Sequence, residues 1–362
     1  VTARSKTTPG TVTFIGAGPG DPSLLTLRAA EVLAAVDAVA VAETYRDSVL
    51  RHCREDVELL DVAELDAPAR GRLLAATAKA GKAVARVFAG DPTILCAFSE
   101  EADAVVKAKV GFELVPGVSA AVGVPGYAGV PLTDKRHRTV HIVDVSAEAD
   151  EPDWAALSGA KQTVVFLNCT GLVGKLAGSL VEHGRRGDTP IAVTAAGTTT
   201  SQQTVVSTLD TVERDAAILD GPIVAVVGDV VKLREKLSWW EGKPLFGWKV
   251  LVPRTKEQAA ALSAQLASYG AVPVEVPTIA VEPPRTPQAV DRAIRGLVSG
   301  RYAWLALTSV NAVKAIREKI EELGLDARAL AGVKIACVGE QTAAAMLAWG
   351  IHADLVPSGQ QS

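Results

Sequence analysis

Short apolar runs separated by amphipathic stretches recur along most of this chain. Residues 11–15 form a β-branched and aromatic run ending at Gly16, the pattern of a buried strand that feeds a turn. Pro22 and Ser23 then open a helical spacing of apolar residues through Leu24, Leu27, Ala30 and Val32, which Asp37 interrupts. Residues 37–42, 83–88 and 112–115 read as further strands, with helical patterns at 73–79 and 99–109 between them. This alternation predicts an α/β fold with a mainly parallel sheet and crossover helices. A second block places apolar runs at 141–145, 163–168, 191–195, 203–208 and 223–227, with a helix at 172–183 that Gly184 closes. Residues 238–248 break the rhythm: Trp239, Trp240, Phe246 and Trp248 stand among glycines and a proline, as in a connector with aromatic packing anchors. An aromatic nucleic-acid platform is the other reading of such a cluster. From Lys249 the strand–helix rhythm restarts, with strands at 250–252, 274–276, 304–308 and 334–338, a helix at 257–269 and a crossing at Pro283-Pro284.

Composition narrows what such a chain does. Its 362 residues call for two or three domains, and 48% apolar residues with mixed charges suit a globular core. A formal net charge of −4 argues against broad attraction to nucleic acid or to an anionic membrane. Cys53, Cys96, Cys169 and Cys337 are far apart and form no CxxC pair, so neither a zinc site nor a disulfide framework is expected, and a reducing, cytoplasmic setting is. The uncharged run at 114–133 has the length of a membrane span, but Pro116, Pro125, Pro131 and four glycines forbid a continuous helix. A soluble protein is expected.

The richest candidate chemistry is Gly16-Ala17-Gly18-Pro19-Gly20-Asp21-Pro22, at the end of the first strand, where open α/β sheets carry their ligand loops. A dinucleotide fingerprint is the rival reading, with Glu43 at the tip of the second strand. That fingerprint needs GxGxxG, whereas here the spacing is GxGxG, with Asp21 in place of the third glycine.

Further motifs follow in order: Gly90-Asp91-Pro92, Val115-Pro116-Gly117-Val118-Ser119-Ala120, Tyr127-Ala128-Gly129-Val130-Pro131-Leu132-Thr133, Gly197-Thr198-Thr199-Thr200-Ser201-Gln202-Gln203 and Val226-Val227-Gly228-Asp229. Together with residues 14–27 these resemble the tetrapyrrole methylase family, in particular the uroporphyrinogen-III C-methyltransferases. The resemblance implies two α/β subdomains, at 11–136 and 137–237, with S-adenosylmethionine in the cleft between them, commonly in a homodimer. It places Pro19, Gly90, Asp91, Ser119 and Ala120 of the first subdomain against that cofactor, with Asn168, Thr198 and Thr199 of the second. Asp91 is a candidate anion near the sulfonium or amino group, or a turn former before Pro92. The implied substrate is a tetrapyrrole with eight carboxylates, for which Lys135, Arg136 and Arg138 are candidate partners, unless they form a solvated surface cluster. Methyl transfer to a pyrrole carbon is an in-line displacement that depends on alignment, so it needs no metal and no nucleophilic triad. The motifs point to no single catalytic side chain.

The chain departs from the family pattern at several places, among them the absence of a basic Gly-Lys-Arg loop between the second and third strands, where residues 61–71 are acidic and short. Phe88 stands where lysine is usual, Ala97 where arginine is usual, within Thr93-Ile94-Leu95-Cys96-Ala97, and Asn168 where a cofactor-contacting methionine is usual. Phe88 and Ala97 remove positive charge expected near a polyanionic substrate, which keeps open a second reading: a non-catalytic methylase scaffold. After a linker at 238–247, Lys249-Val250-Leu251-Val252-Pro253-Arg254-Thr255, Leu307-Thr308-Ser309 and Val338-Gly339-Glu340 resemble uroporphyrinogen-III synthase. Residues 248–362 supply only the first half of that two-half pattern. The resemblance therefore implies a partial synthase-like domain, a piece of a longer fusion, with no synthase activity by itself.

Overall fold

The structure, a computed structural model, describes residues 10–94, 97–146, 150–253, 256–276 and 287–357. Leu95, Cys96, Arg254, Thr255 and the Pro283-Pro284 crossing lie outside them. Strands β1 (Val12–Gly16), β2 (Ala38–Ala40), β3 (Glu58–Leu59), β4 (Val84–Phe88) and β5 (Phe112–Val115) form a wholly parallel sheet in the order β3-β2-β4-β1-β5. All five residues of β1 are buried, as befits a parallel strand covered on both faces. Phe14 joins Leu74 and Val105 in the core on one face, and Ile15 joins Leu33, Val39 and Val87 on the other. The helix at Ala67–Lys79 starts well before the pattern at 73–79, because Asp66 caps it through the Ala69 amide while Arg70, Gly71 and Arg72 hide its apolar period. Arg86 is buried on β4 beside Phe88. Glu101 receives its guanidinium at 2.8 and 3.1 Å and also Arg70 at 2.7 Å, a pairing that makes the buried charges tolerable.

The second lobe is built differently. Strands β6 (Thr139–Asp144), β7 (Gln162–Leu167), β8 (Pro190–Ala195), β9 (Gln203–Thr208) and β10 (Ile223–Val227) run in the order β6-β7-β10-β8-β9, with only β6 and β7 parallel. The turn at 196–202 joins β8 to β9 without a crossover helix, so those two strands are antiparallel neighbours. The lobes share a core. Ala121, Val124, Ala128 and Val130, in and after the helix Ala120–Tyr127, pack with Val165, Leu167, Ala192 and Val224 of the second sheet.

By compactness the chain divides between residues 278 and 279. The first unit also contains β11 (Lys249–Val252), parallel to β12 (Val272–Glu275). The second unit pairs β13 (Trp304–Leu307) with β14 (Lys334–Cys337) in parallel, around a core that includes Ile294, Leu307, Ile320, Ile335 and Met346. Among the described residues no helix is long and apolar enough to cross a membrane.

Candidate functional site

The carboxyl ends of β1, β4 and β5 are neighbours, and at such a switch in strand order open α/β sheets form a ligand crevice. Glycine lets the three exits touch. Gly18 and Gly90 exchange backbone hydrogen bonds of 3.2 and 2.8 Å between the loops after β1 and β4. A Cβ on Gly16 would lie 2.5 Å from the Gly90 carbonyl oxygen, and one on Gly117 only 2.2 Å from the same atom. Gly123 plays a similar part on the helix Ala120–Tyr127, where a Cβ would lie 2.8 Å from the Pro19 ring. Asp21 shows why no third fingerprint glycine stands there. Its carboxylate accepts from Ser23 N at 2.8 Å and from the Tyr127 hydroxyl at 2.8 Å, tying the loop to the helix through a side chain.

Behind these loops opens a cavity of about 810 Å³. From the first lobe it is lined by Pro19 and Gly20 after β1, Thr44, Tyr45 and Ser48 after β2, Ala89, Gly90 and Ile94 after β4, and Ser119, Ala120 and Val124 after β5. The second lobe supplies Leu167, Asn168 and Thr170 after β7, Ala196, Gly197 and Thr199 between β8 and β9, and Gly221 to Val224 entering β10. Among the described residues no charged side chain is in this lining; the polar groups there are hydroxyls, one amide and backbone. Burial pushes the Tyr45 phenol above its ordinary value. Such walls suit a compact ligand that carries its own charges and an apolar flat portion, since glycine turns let backbone donors and acceptors approach closely.

Of the residues expected at the cofactor, Pro19, Gly90, Ser119, Ala120, Asn168 and Thr199 meet around this cavity. Asp91 and Thr198 stand behind its surface. Asp91 is 8% exposed and accepts from Thr93 N at 2.7 Å and Gly117 N at 2.9 Å, so its carboxylate ties the turn after β4 to the loop after β5. Thr198 is fully buried and accepts from Asp21 N at 3.0 Å through its hydroxyl, which pins the glycine loop to the second lobe. Asn168 has a left-handed backbone (φ 58°) and donates its amide to Asp144 at 2.9 Å. Burial alone would raise the Asp144 carboxyl, but the hydrogen bonds from Asn168 and Ser146 hold it below the usual range. Lys135, Arg136 and Arg138 are exposed on a turn outside the lining. Asp134 builds that turn, accepting from the Arg136 and His137 amides at 2.7 Å each and from the His137 ring at 2.9 Å. Phe88 is core, packed under the Arg86 guanidinium at 4.4 Å, so the missing lysine there is a matter of the interior of the sheet. Glu43 faces solvent and pairs with Arg46 at 2.6 Å, while Thr44, Tyr45 and Ser48 beside it line the cavity. Those three, Thr170 and Gly221 to Val224 have no motif to announce them; their one signal is position at a strand end.

Residues 11–213 match the model of the Tetrapyrrole (Corrin/Porphyrin) Methylases, and residues 260–362 that of Uroporphyrinogen-III synthase HemD. The porphyrin biosynthesis protein HemD of Ruminiclostridium josui is 33% identical over 360 residues, covering 96% of this chain and 71% of that protein. Siroheme synthase 1 of Klebsiella pneumoniae is 37% identical over 241 residues, and the chain spans about half the length of such relatives (51% of this one, with 64% of the chain covered). Among solved structures, a uroporphyrin-III-C-methyltransferase from Thermus thermophilus aligns with a TM-score of 0.55 at 30% identity, covering 64% of this chain and 97% of that one. The Thermus enzyme complexed with S-adenosyl homocysteine aligns at 0.54 and 28% identity, over 62% and 94%. The chain thus belongs to the tetrapyrrole methylase family, as a methyltransferase whose two lobes are followed by a segment of the uroporphyrinogen-III synthase family.

Proposed function

We propose that this chain uses S-adenosylmethionine to methylate two ring carbons of uroporphyrinogen III, giving precorrin-2 on the way to siroheme or cobalamin. In this reading residues 11–136 and 137–237 are the methylase lobes, 238–247 the linker, and 248–362 part of a synthase. The supporting observation is the cavity at the switch in strand order, whose volume of about 810 Å³ falls in the range of small-molecule sites, about 300–1,000 Å³. Its uncharged hydrogen-bonding lining fits the cofactor, a compact molecule that brings its own charges. Pro19, Gly90, Ser119, Ala120, Asn168 and Thr199 hold it; Asp91 and Thr198 act on it by fixing the loops. When bound, the cofactor supplies an electrophilic methyl group on a sulfonium.

What the protein contributes is alignment and dryness. Ile94, Val124, Leu167 and Ile223 present apolar surface to the cavity, and the turns around them keep backbone groups at fixed positions. Lys135, Arg136 and Arg138 face outward on their Asp134-built turn and receive substrate carboxylates. Each such contact is worth about 1.5–3 kcal/mol where it is formed. Replacing all three with alanine raises KM for the tetrapyrrole while S-adenosylhomocysteine affinity stays unchanged. The protein works as a homodimer, which its mass in solution tests.

Calorimetric titration with S-adenosylhomocysteine, followed by mass spectrometry of uroporphyrinogen III after incubation with the cofactor, tests the whole reading. Micromolar binding and the mass of two added methyl groups are expected. Absence of binding makes the methylase lobes a scaffold.

A further inference from the structure

The connector after the second lobe does more than leave it. Trp239 and Trp240 close on Tyr127 with ring centroids 5.1 and 4.7 Å away, and Lys243 Nζ lies 3.8 Å from the Trp240 ring. Trp240 is buried and donates its indole N–H to the carbonyl of Thr199, a cavity residue, at 2.8 Å. Glu241 reaches under the same turn. Its carboxylate accepts from the Gln202 amide at 2.8 Å and from the Thr204 hydroxyl at 2.6 Å, and it pairs with Arg234. Gln202 is 1% exposed, and its amide oxygen accepts from Thr198 N at 2.8 Å. The amide has one workable orientation, because Glu241 only accepts and the Thr198 N–H only donates. The Thr198 hydroxyl then takes the Asp21 amide, and the Asp21 carboxylate takes Tyr127, which the tryptophans cover.

We propose that Trp240 and Glu241 are positioning residues for the cofactor cavity: through Gln202 and Thr198 the connector sets the place of the loop Gly18 to Asp21, and directly it sets Thr199. This rests on the cofactor reading given above. Every buried link in the relay has its partner, and a buried polar network of this kind is costly to break at any member. The left-handed backbone at Thr198 (φ 66°) has no glycine to relieve it, so the hydrogen bonds on either side of it hold that conformation. Trp239 is the internal contrast. It packs edge-on against the same tyrosine, but it is half exposed and its indole N–H goes to the Gly126 carbonyl at 3.0 Å, outside the cavity.

The test uses the full chain and two readouts: the dissociation constant for S-adenosylhomocysteine by calorimetry, and hydrogen exchange of the Asp21 amide. Glu241→Ala is expected to weaken binding about tenfold and to speed Asp21 exchange by a similar factor, the scale of one lost hydrogen bond to a charged group. Trp240→Phe keeps the ring packing and is expected to cost about threefold in binding. Trp239→Phe is expected to leave both readouts within about twofold. Wild-type affinity and exchange in both Glu241→Ala and Trp240→Phe overturn the proposal, as does an equal loss in Trp239→Phe, which would mark general loosening of the aromatic cluster. Should Glu241→Ala fail to fold, Trp240→Phe against Trp239→Phe still decides. If the wild-type chain binds no S-adenosylhomocysteine, the cofactor reading falls, and Asp21 exchange alone still tells whether the connector sets the loop.

Discussion

On the cavity wall supplied by β1, β4 and β5, the backbone comes close because side chains are missing: a Cβ on Gly16 or on Gly117 would collide with the Gly90 carbonyl oxygen. On the facing side, at the wall and just behind it, the chain uses ordinary residues in a costly conformation. Asn168, Ala196 and Thr198 have φ of 58°, 48° and 66°, and among the described residues only one other non-glycine, Lys109, has a positive φ. Each left-handed residue of this kind costs about 1–2 kcal/mol. Two of the three offset it with side-chain hydrogen bonds, Asn168 to Asp144 and Thr198 from Asp21. The first wall is therefore fixed by steric exclusion, and the second by polar contacts that can be removed one at a time. Strain gathered at a cavity wall is itself a mark of a functional site.

The steric wall should give the largest effect. Gly117→Ala sets a Cβ against the Gly90 carbonyl and the Gly16 backbone, and neither neighbour is a flexible side chain. A loss of about 3 kcal/mol in urea unfolding is expected, with loss of S-adenosylhomocysteine binding. Near-native stability would mean that the three strand ends slide past one another freely, and the contrast between the walls would collapse.

That difference also explains what could be read from the sequence. Glycine is visible as a letter, so the first wall was legible from Gly16, Gly18, Gly20, Gly90 and Gly117. The parallel first sheet was legible too, because its strands are continuous apolar runs. The left-handed backbone of Ala196 and Thr198 leaves no trace in composition, since neither residue type favours that conformation and neither letter announces it. Thr44, Tyr45 and Ser48 were hidden for another reason. They enter the cavity only because the residues after β2 fold into a short helical turn beside the switch point, and no spacing in the chain encodes that neighbourhood. Asp91 and Thr198 were found through the family motifs, yet their contacts show them fixing loops from behind the cavity surface.

The polar wall should yield smaller, separable losses. Thr198→Val keeps the β-branched shape and removes the acceptor of the Asp21 amide. A cost of about 1–2 kcal/mol is expected from chemical unfolding, because a part-buried N–H loses its partner. A cost near zero would show that the strained turn stands without its hydrogen bond. Ala196→Gly asks the complementary question. It relieves about 1 kcal/mol of backbone strain but adds a similar amount of freedom to the unfolded chain, so stability should move by less than about 0.5 kcal/mol. A clear loss would show that the Ala196 methyl group, rather than the turn, holds this part of the wall.

The smallest effect separates the walls by chemistry rather than size. Hydrogen bonds from Asn168 and Ser146 hold the Asp144 carboxyl below its ordinary value against the opposing effect of burial. A carboxyl lowered on folding contributes stability above its unfolded pKa, about 3.9, and that contribution is lost as pH falls through the lower folded value. Acid should therefore loosen the Asn168 turn while the backbone pairing of Gly18 with Gly90, which contains no titrating group, stays closed. Protection against amide exchange, followed from pH 5 downward, is expected to fall at residues 144–146 and 168 before it does at Gly16, Gly18 and Gly90. Asp144→Asn should abolish that order of events. If both walls open together at the same pH, the polar wall is held by the shared core beneath it, through Val124 and Leu167, and the Asp144 contact is incidental.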